Sequence, residues 1–165
     1  MVRRIVATVD NLPRLSLAAD IRPVKPVPGA FATLGPDGAK QIGLENSARY
    51  APYVNAFAGV DSRALVALYV RFYPLFQQAY RDLGYPNGYF NDRLVEAIDN
   101  LLATPVIEGP ISLTQPKVLY EYADPSLQSL SAGQKVMLRM GPDNAARVRA
   151  KLREIRALVT AKRPG

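Results

Sequence analysis

The chain has 165 residues and a mass of 18.1 kDa, is 48% hydrophobic and 21% charged, contains no cysteine and no histidine, and carries a net charge of +7. That size and composition suit one ordinary globular domain able to bury its own core. The missing residue types exclude disulfides, thiolate metal sites, cysteine nucleophiles, histidine-ligated zinc and every triad or pH switch built on imidazole, so catalysis would fall to carboxylates, Lys, Tyr or Ser.

The start, MVRRIVATVD, is too short for a signal peptide, and no apolar run in the chain is long enough to span a membrane. Val2, Ile5, Val6, Val9 and Leu12 recur at helical spacing and stop at Pro13, which predicts a short opening helix. The stretch IRPVKPVPGA, Ile21 to Ala30, has no amphipathic period and reads as an extended connector crossing the surface. FATLG and AKQIG then flank PDG, a hairpin pattern.

From Leu44 the pattern is mostly helical. Asp61 is placed to cap a helix whose stripe runs through Leu65, Leu68, Tyr69, Phe72, Phe76, Ala79, Tyr80 and Leu83, with Gly84 to end it. Pro74 must bend that helix near Val70 to Pro74 or break it in two. Asn91 is expected to cap the next helix, with Leu94, Val95, Ile98, Leu101 and Leu102 as its buried face, and the two helices to form an antiparallel core pair. After a partly extended region from Val106 to Tyr122, Asp124 with Pro125 and Ser131 with Gln134 read as cap and capping box, and Gly141 with Pro142 separates the last two helices. The expected fold is mainly α: one compact domain of about five or six helices with a small hairpin or short strands near Phe31 to Ile42 and Ile111 to Tyr122. Along the chain it divides into an N-terminal helix and Pro-rich connector (1–43), a helical core (44–104), and a partly extended segment with basic C-terminal helices (105–165).

Several constellations carry possible chemistry. Asp92, Glu96 and Asp99 line one helix face, as a glycosidase pair or a divalent-cation site would, but that face is opposite the apolar one and reads more simply as solvated, with Arg93 or the basic C-terminus as partners. GPDGAK and SAGQK each set a Gly before a Lys without the full phosphate-loop spacing, so a turn and a helix cap explain them better. The charge is uneven: residues 1–134 carry 12 basic and 12 acidic side chains, residues 135–165 carry 9 and 2. In the last helix Val148, Leu152, Ile155 and Val159 form the apolar stripe, with Arg149, Arg153 and Arg156 on one flank and Arg147 and Lys151 on the other. Such a flank suits an anionic partner, although the absence of a base-reading aromatic motif argues against nucleic acid.

The turn LGYPNGYFNDR, Leu83 to Arg93, holds more rings than a chain reversal needs. Tyr85, Tyr89 and Phe90 could pack over the joint as a satellite core; alternatively Tyr85 or Tyr89 stays partly exposed beside Asn87 and Arg93 and recognises a peptide or a sugar ring.

The strings RRIVATVDNLPR, FYPLFQQAYRDLGYPNGYFNDRLVEAIDNLLATP and GPISLTQPKVLYEYADPSLQSLSAGQKVMLRMGPDNAARVRAKLREIRAL together resemble a bacterial family known as domain of unknown function 3014, over nearly the whole chain. The resemblance implies no activity, cofactor or site residue. It implies an inner-membrane protein with an N-terminal anchor, a proline-rich spacer and this domain on the periplasmic side. The chain in hand carries no such anchor, and its abrupt helical start is expected of a trimmed piece. On these grounds the expected function is a non-enzymatic interaction or structural domain of an envelope protein, needing no cofactor or metal and binding an as yet unnamed protein or envelope component. The alternative is a carboxylate-dependent enzyme acting on an envelope glycan through Glu96, Asp99 and Glu121. Any anionic partner is expected to bind the last helix more weakly as salt rises, and replacement of Arg149, Arg153 and Arg156 by Gln to abolish that binding in a titration.

Overall fold

Three helix starts carry the caps that their sequences promise. Asp61 accepts a hydrogen bond from the Ala64 backbone N–H, Asp124 accepts from Ser126, and Ser131 and Gln134 close a reciprocal capping box. In the computed structural model of the protein, which describes residues 1–16, 18 and 27–161, the elements are α1 (Val2–Asn11), β1 (Thr33–Leu34), β2 (Gln41–Ile42), α2 (Glu45–Gly59), α3 (Ser62–Arg71), α4 (Tyr73–Asp82), α5 (Phe90–Leu102), β3 (Leu113–Thr114), β4 (Glu121–Tyr122), α6 (Pro125–Gln128), α7 (Ala132–Arg139) and α8 (Pro142–Ala161). The domain is mainly α, with eight helices among the described residues against the five or six expected. Most of the connector Ile21 to Ala30 lies outside the described residues.

Both strand pairs are antiparallel, with Thr33 opposite Ile42 and Leu113 opposite Tyr122. Backbone bonds from Leu113 N–H to the Lys40 carbonyl (2.8 Å) and from Ile42 N–H to the Ile111 carbonyl (3.0 Å) join the two hairpins edge to edge. Arg49 and the buried Asn46 of α2 bond to carbonyls from Val27 to Ala32, so the segment ahead of β1 is tied to the first turns of α2.

Pro74 divides the long stripe into two helices. Phe72 leaves helical geometry at φ −100°, ψ 10°, and the proline takes the first turn of α4, where its missing N–H costs nothing. The break re-aims α4, so the expected continuous stripe does not hold: Val66 of α3 and Tyr73, Gln77, Ala79 and Tyr80 of α4 are buried, whereas Leu68, Phe72 and Leu83 are substantially exposed.

The pairing of α4 with α5 is only part of the core. Helix α8 is the hub, packing against α2, α3 and α5, and its Leu152, Ile155 and Val159 meet Val66 and Ile98 in one cluster. Val6, Tyr73, Ala79, Tyr80 and Phe90 form a second cluster beneath the α4–α5 joint. Smaller clusters sit around Val54 and Met137 and beneath the β3–β4 hairpin.

Lys151 does not flank the apolar stripe in solvent but is buried within the fold. Its ammonium donates to the Val60 carbonyl (2.9 Å), Ser62 Oγ (3.1 Å) and Glu154 Oε2 (3.0 Å), and Ser62 Oγ donates in turn to Glu154 (2.6 Å). Three donors find three acceptors, which is what allows the charge to leave water and pin α8 to the corner between α2 and α3. Lys151→Ala, which strands those acceptors, should cost about 1–3 kcal/mol. Arg153→Ala, on the exposed side of the same helix, should stay within about 0.5 kcal/mol, with urea unfolding of both variants as the check.

Candidate functional site: the joint between the fourth and fifth helices

Gly84, at φ +114°, ends α4 in a conformation that a side chain would resist. The Tyr85 N–H returns to the Tyr80 carbonyl and the Gly84 N–H to that of Arg81, the two bonds of a Schellman ending. The apolar contact that accompanies such an ending is here the stacking of Tyr85 on Tyr80, ring centres 4.5 Å apart at 18°. Gly88 N–H bonds the Tyr85 carbonyl to close the turn through Pro86 and Asn87, and a Cβ at Gly88 would lie 3.0 Å from the Tyr80 ring.

Gln77, on the buried face of α4, ties the turn down. Its Nε2 donates to the Gly88 carbonyl (2.7 Å), while its Oε1 accepts from the Phe90 backbone N–H (2.9 Å) and the Tyr73 hydroxyl (2.8 Å). The start of α5 is therefore satisfied by a side chain from another helix, and the expected cap at Asn91 is not there. Tyr89 occupies the cap position, and Asn91 sits inside the first turn, buried, accepting from the Tyr69 hydroxyl (3.1 Å). Burial pushes the Tyr69 hydroxyl well above its ordinary pKa, as it does that of Tyr73.

On the outer side, Asp10 of α1 organises the charges. Its carboxylate is 2% exposed and accepts from Arg93 Nε (3.0 Å), Arg14 Nη2 (2.7 Å) and the Tyr85 hydroxyl (3.3 Å). Arg93 also bonds the Asp10 carbonyl near the end of α1 and reaches Glu96 through Nη1 (2.7 Å). Burial disfavours the charged form of Arg93, but the bonds and charges of Glu96 and Asp10 outweigh it and hold its pKa above the ordinary value. Burial, then the Asp10 charge, raises the Tyr80 hydroxyl.

The result is a shallow depression of about 430 Å³ at the joint, lined among others by Asp10, Tyr85, Asn87, Tyr89, Arg93 and Glu96. All four residues singled out in this turn, Tyr85, Asn87, Tyr89 and Arg93, thus meet on one concave surface. The rings divide their work. Phe90 is 1% exposed and Tyr85 packs against the second cluster, whereas Tyr89 is 60% exposed.

The basic flank of α8 is more heavily committed. Arg149 donates to the Thr104 carbonyl (2.8 Å), and burial together with neighbouring Arg153 lowers its pKa. Arg156 makes a two-point pair with Asp99, leaving Arg153 exposed between them. Of the candidate carboxylates, Asp99 is held below the usual carboxylate range by the Arg156 hydrogen bond, Glu96 pairs with Arg93, and Glu121 lies on β4.

A family model described as a protein of unknown function, DUF3014, matches residues 1–156. The chain belongs to that family. No curated protein and no solved structure matches it significantly.

Substitution separates packing from surface at the joint. Asp10→Ala, which leaves two guanidinium groups without their shared partner, should cost about 3–5 kcal/mol. Tyr85→Ala should cost about 1–3 kcal/mol and Tyr89→Ala no more than about 0.5 kcal/mol, measured by thermal unfolding.

Proposed function

We propose that this domain is a non-enzymatic interaction module of a bacterial envelope protein, exposed on the periplasmic side of the inner membrane, and that it engages its partner through the depression at the α4–α5 joint. The observation that carries the reading is Tyr89, a large ring left 60% exposed at the rim of a concave surface whose backbone is held by Gln77 and whose charges are held by Asp10. A stable fold gains little from leaving that ring in water, whereas rigid, amphipathic tyrosines on a pre-formed surface are the residues that dominate recognition hot spots. Envelope placement is supported by the family resemblance of the strings described above. Among the described residues no helix is long and apolar enough to cross a membrane.

The test is site-specific photo-crosslinking in living cells. With a photoreactive residue at position 89, a discrete adduct should form, and it should be missing when the same residue stands at the exposed position 153 on α8. Absence of any adduct at position 89, or one indistinguishable from that at 153, would overturn the reading.

A further inference from the structure

The run from Ser62 to Arg81, which covers α3 and nearly all of α4, contains three arginines and no aspartate or glutamate. Among the described residues none of Arg63, Arg71 and Arg81 meets a carboxylate. The acids at either end of the run have work of their own. Asp61 caps α3 through the Ala64 N–H, and Asp82 accepts from Arg3 Nη2 (3.2 Å) and Gln78 Nε2 (2.8 Å).

The break at Pro74 leaves apolar side chains facing outward on the same run. Leu68 (54% exposed), Phe72 (41%) and Leu75 (55%) stand at i, i+4 and i+7. Bonds from the Phe72 N–H to the Leu68 carbonyl (3.1 Å) and from the Leu75 N–H to the Phe72 carbonyl (3.0 Å) set them on successive turns across the break. Ala67, Ala64 and Arg63 continue the exposed face back to the start of α3. The Arg71 guanidinium lies over the Phe72 ring, 5.7 Å from its centre.

Scattered apolar residues on a surface need no explanation, but a contiguous strip of them rimmed by charge marks a contact. Neither of the two main depressions of the molecule is lined by Leu68, Phe72 or Leu75, so the strip meets a broad surface better than it cradles a single peptide segment. Leucines and an aromatic ring beside unpaired arginines, with no acid among them, match a helix lying on an anionic bilayer. The apolar side chains enter the boundary of the acyl region while the long arginine stems keep their charges at the phosphates.

We infer that the outer face of α3 and the first turn of α4 is a docking surface for an anionic phospholipid bilayer, with Leu68, Phe72 and Leu75 entering the headgroup boundary and Arg63 and Arg71 answering lipid phosphates. The net charge of +7 favours approach to such a surface. On α8, by contrast, Arg149 and Arg156 are already engaged within the fold. The face shares no residue with the depression at the α4–α5 joint, so the two contacts are independent.

The test is co-flotation of the full chain with vesicles. Phosphatidylcholine vesicles holding about 30% phosphatidylglycerol should carry the protein, pure phosphatidylcholine should not, and binding should fall as salt rises. Arg63→Gln combined with Arg71→Gln should weaken it by about thirtyfold, and Leu68→Gln combined with Leu75→Gln by about tenfold. All four side chains are exposed, so thermal unfolding should barely change. Arg4→Gln combined with Lys117→Gln removes the same net charge from other exposed positions and should bind within about twofold of the parent. The chain has no tryptophan, so Leu75→Trp reports on the face alone. Its emission should move to the blue on anionic vesicles, while that of Val118→Trp, between β3 and β4 and 85% exposed in the parent, should not. Absence of flotation, equal losses in the two charge-matched pairs, or flotation with unmoved emission from Leu75→Trp would overturn the inference. A blue shift of Leu75→Trp that needs no vesicles and grows with protein concentration would overturn it in favour of a second copy of the chain. A shift with oligoglutamate but not with anionic vesicles would overturn it in favour of an acidic peptide.

Discussion

The surface of this domain at the α4–α5 joint depends on one buried carboxylate. Asp10 sits near the end of α1, almost wholly out of water, and gathers Arg14, Arg93 and Tyr85 around it. A buried charge pair adds little net stability when compared with well-packed apolar residues, because desolvation consumes most of the attraction. What it supplies is geometry. Arg93 bonds both the carboxylate and the backbone carbonyl of Asp10, so α5 is tied to the end of α1 at two points.

The turn itself is held from beneath by a neutral residue. Gln77 offers one donor and one acceptor to backbone groups at Gly88 and Phe90, and the Tyr85 ring stacks on Tyr80 over the same spot. Backbone that is tied on both faces is stiff, and a stiff surface loses little entropy when a partner docks. The exposed Tyr89 is thus presented by a support that the rest of the fold has already ordered.

Elsewhere the charges are mostly used internally. Lys151 is the pin between α8 and the α2–α3 corner, Arg156 answers Asp99, and Arg149 closes the end of α5 through the Thr104 carbonyl. Of the basic side chains in the last 31 residues, Lys151 and Arg156 each answer a carboxylate and Arg149 a backbone carbonyl, while Arg153 stays exposed. Asp99 is held below the usual carboxylate range by its Arg156 hydrogen bond and so stays ionised near neutral pH.

Local chemistry made much of this legible in advance. The capping residues Asp61, Asp124 and Ser131, the break at Pro74, the αL position of Gly84 and the hairpin around PDG all depend on interactions within a few residues, which the sequence states directly. The grouping of Tyr85, Asn87, Tyr89 and Arg93 was legible for the same reason, since one turn carries all of them. Asp10, Gln77 and the burial of Lys151 were not. Their partners lie far along the chain, 83 residues away for Asp10 with Arg93 and 91 for Lys151 with the Val60 carbonyl, and a polar residue on a helix face shows its role only when the opposing acceptor is in place. Gln77 left a trace, as a polar residue between Tyr73 and Tyr80 on the face that packs inward, but the backbone groups that it satisfies belong to a neighbouring turn. Asn91 shows the converse: a good capping residue by sequence, it was taken into the core because Gln77 had already satisfied the start of the helix. The sequence by itself thus determined the starts of α3, α6 and α7 and the breaks at Pro74 and Gly84, because those are settled by neighbours within a turn, whereas the start of α5 was settled by Gln77 from another helix. Which polar side chains are buried, and which ring remains in water, was decided only by tertiary packing, because burying a charge or an amide is tolerable only where distant groups supply its hydrogen bonds.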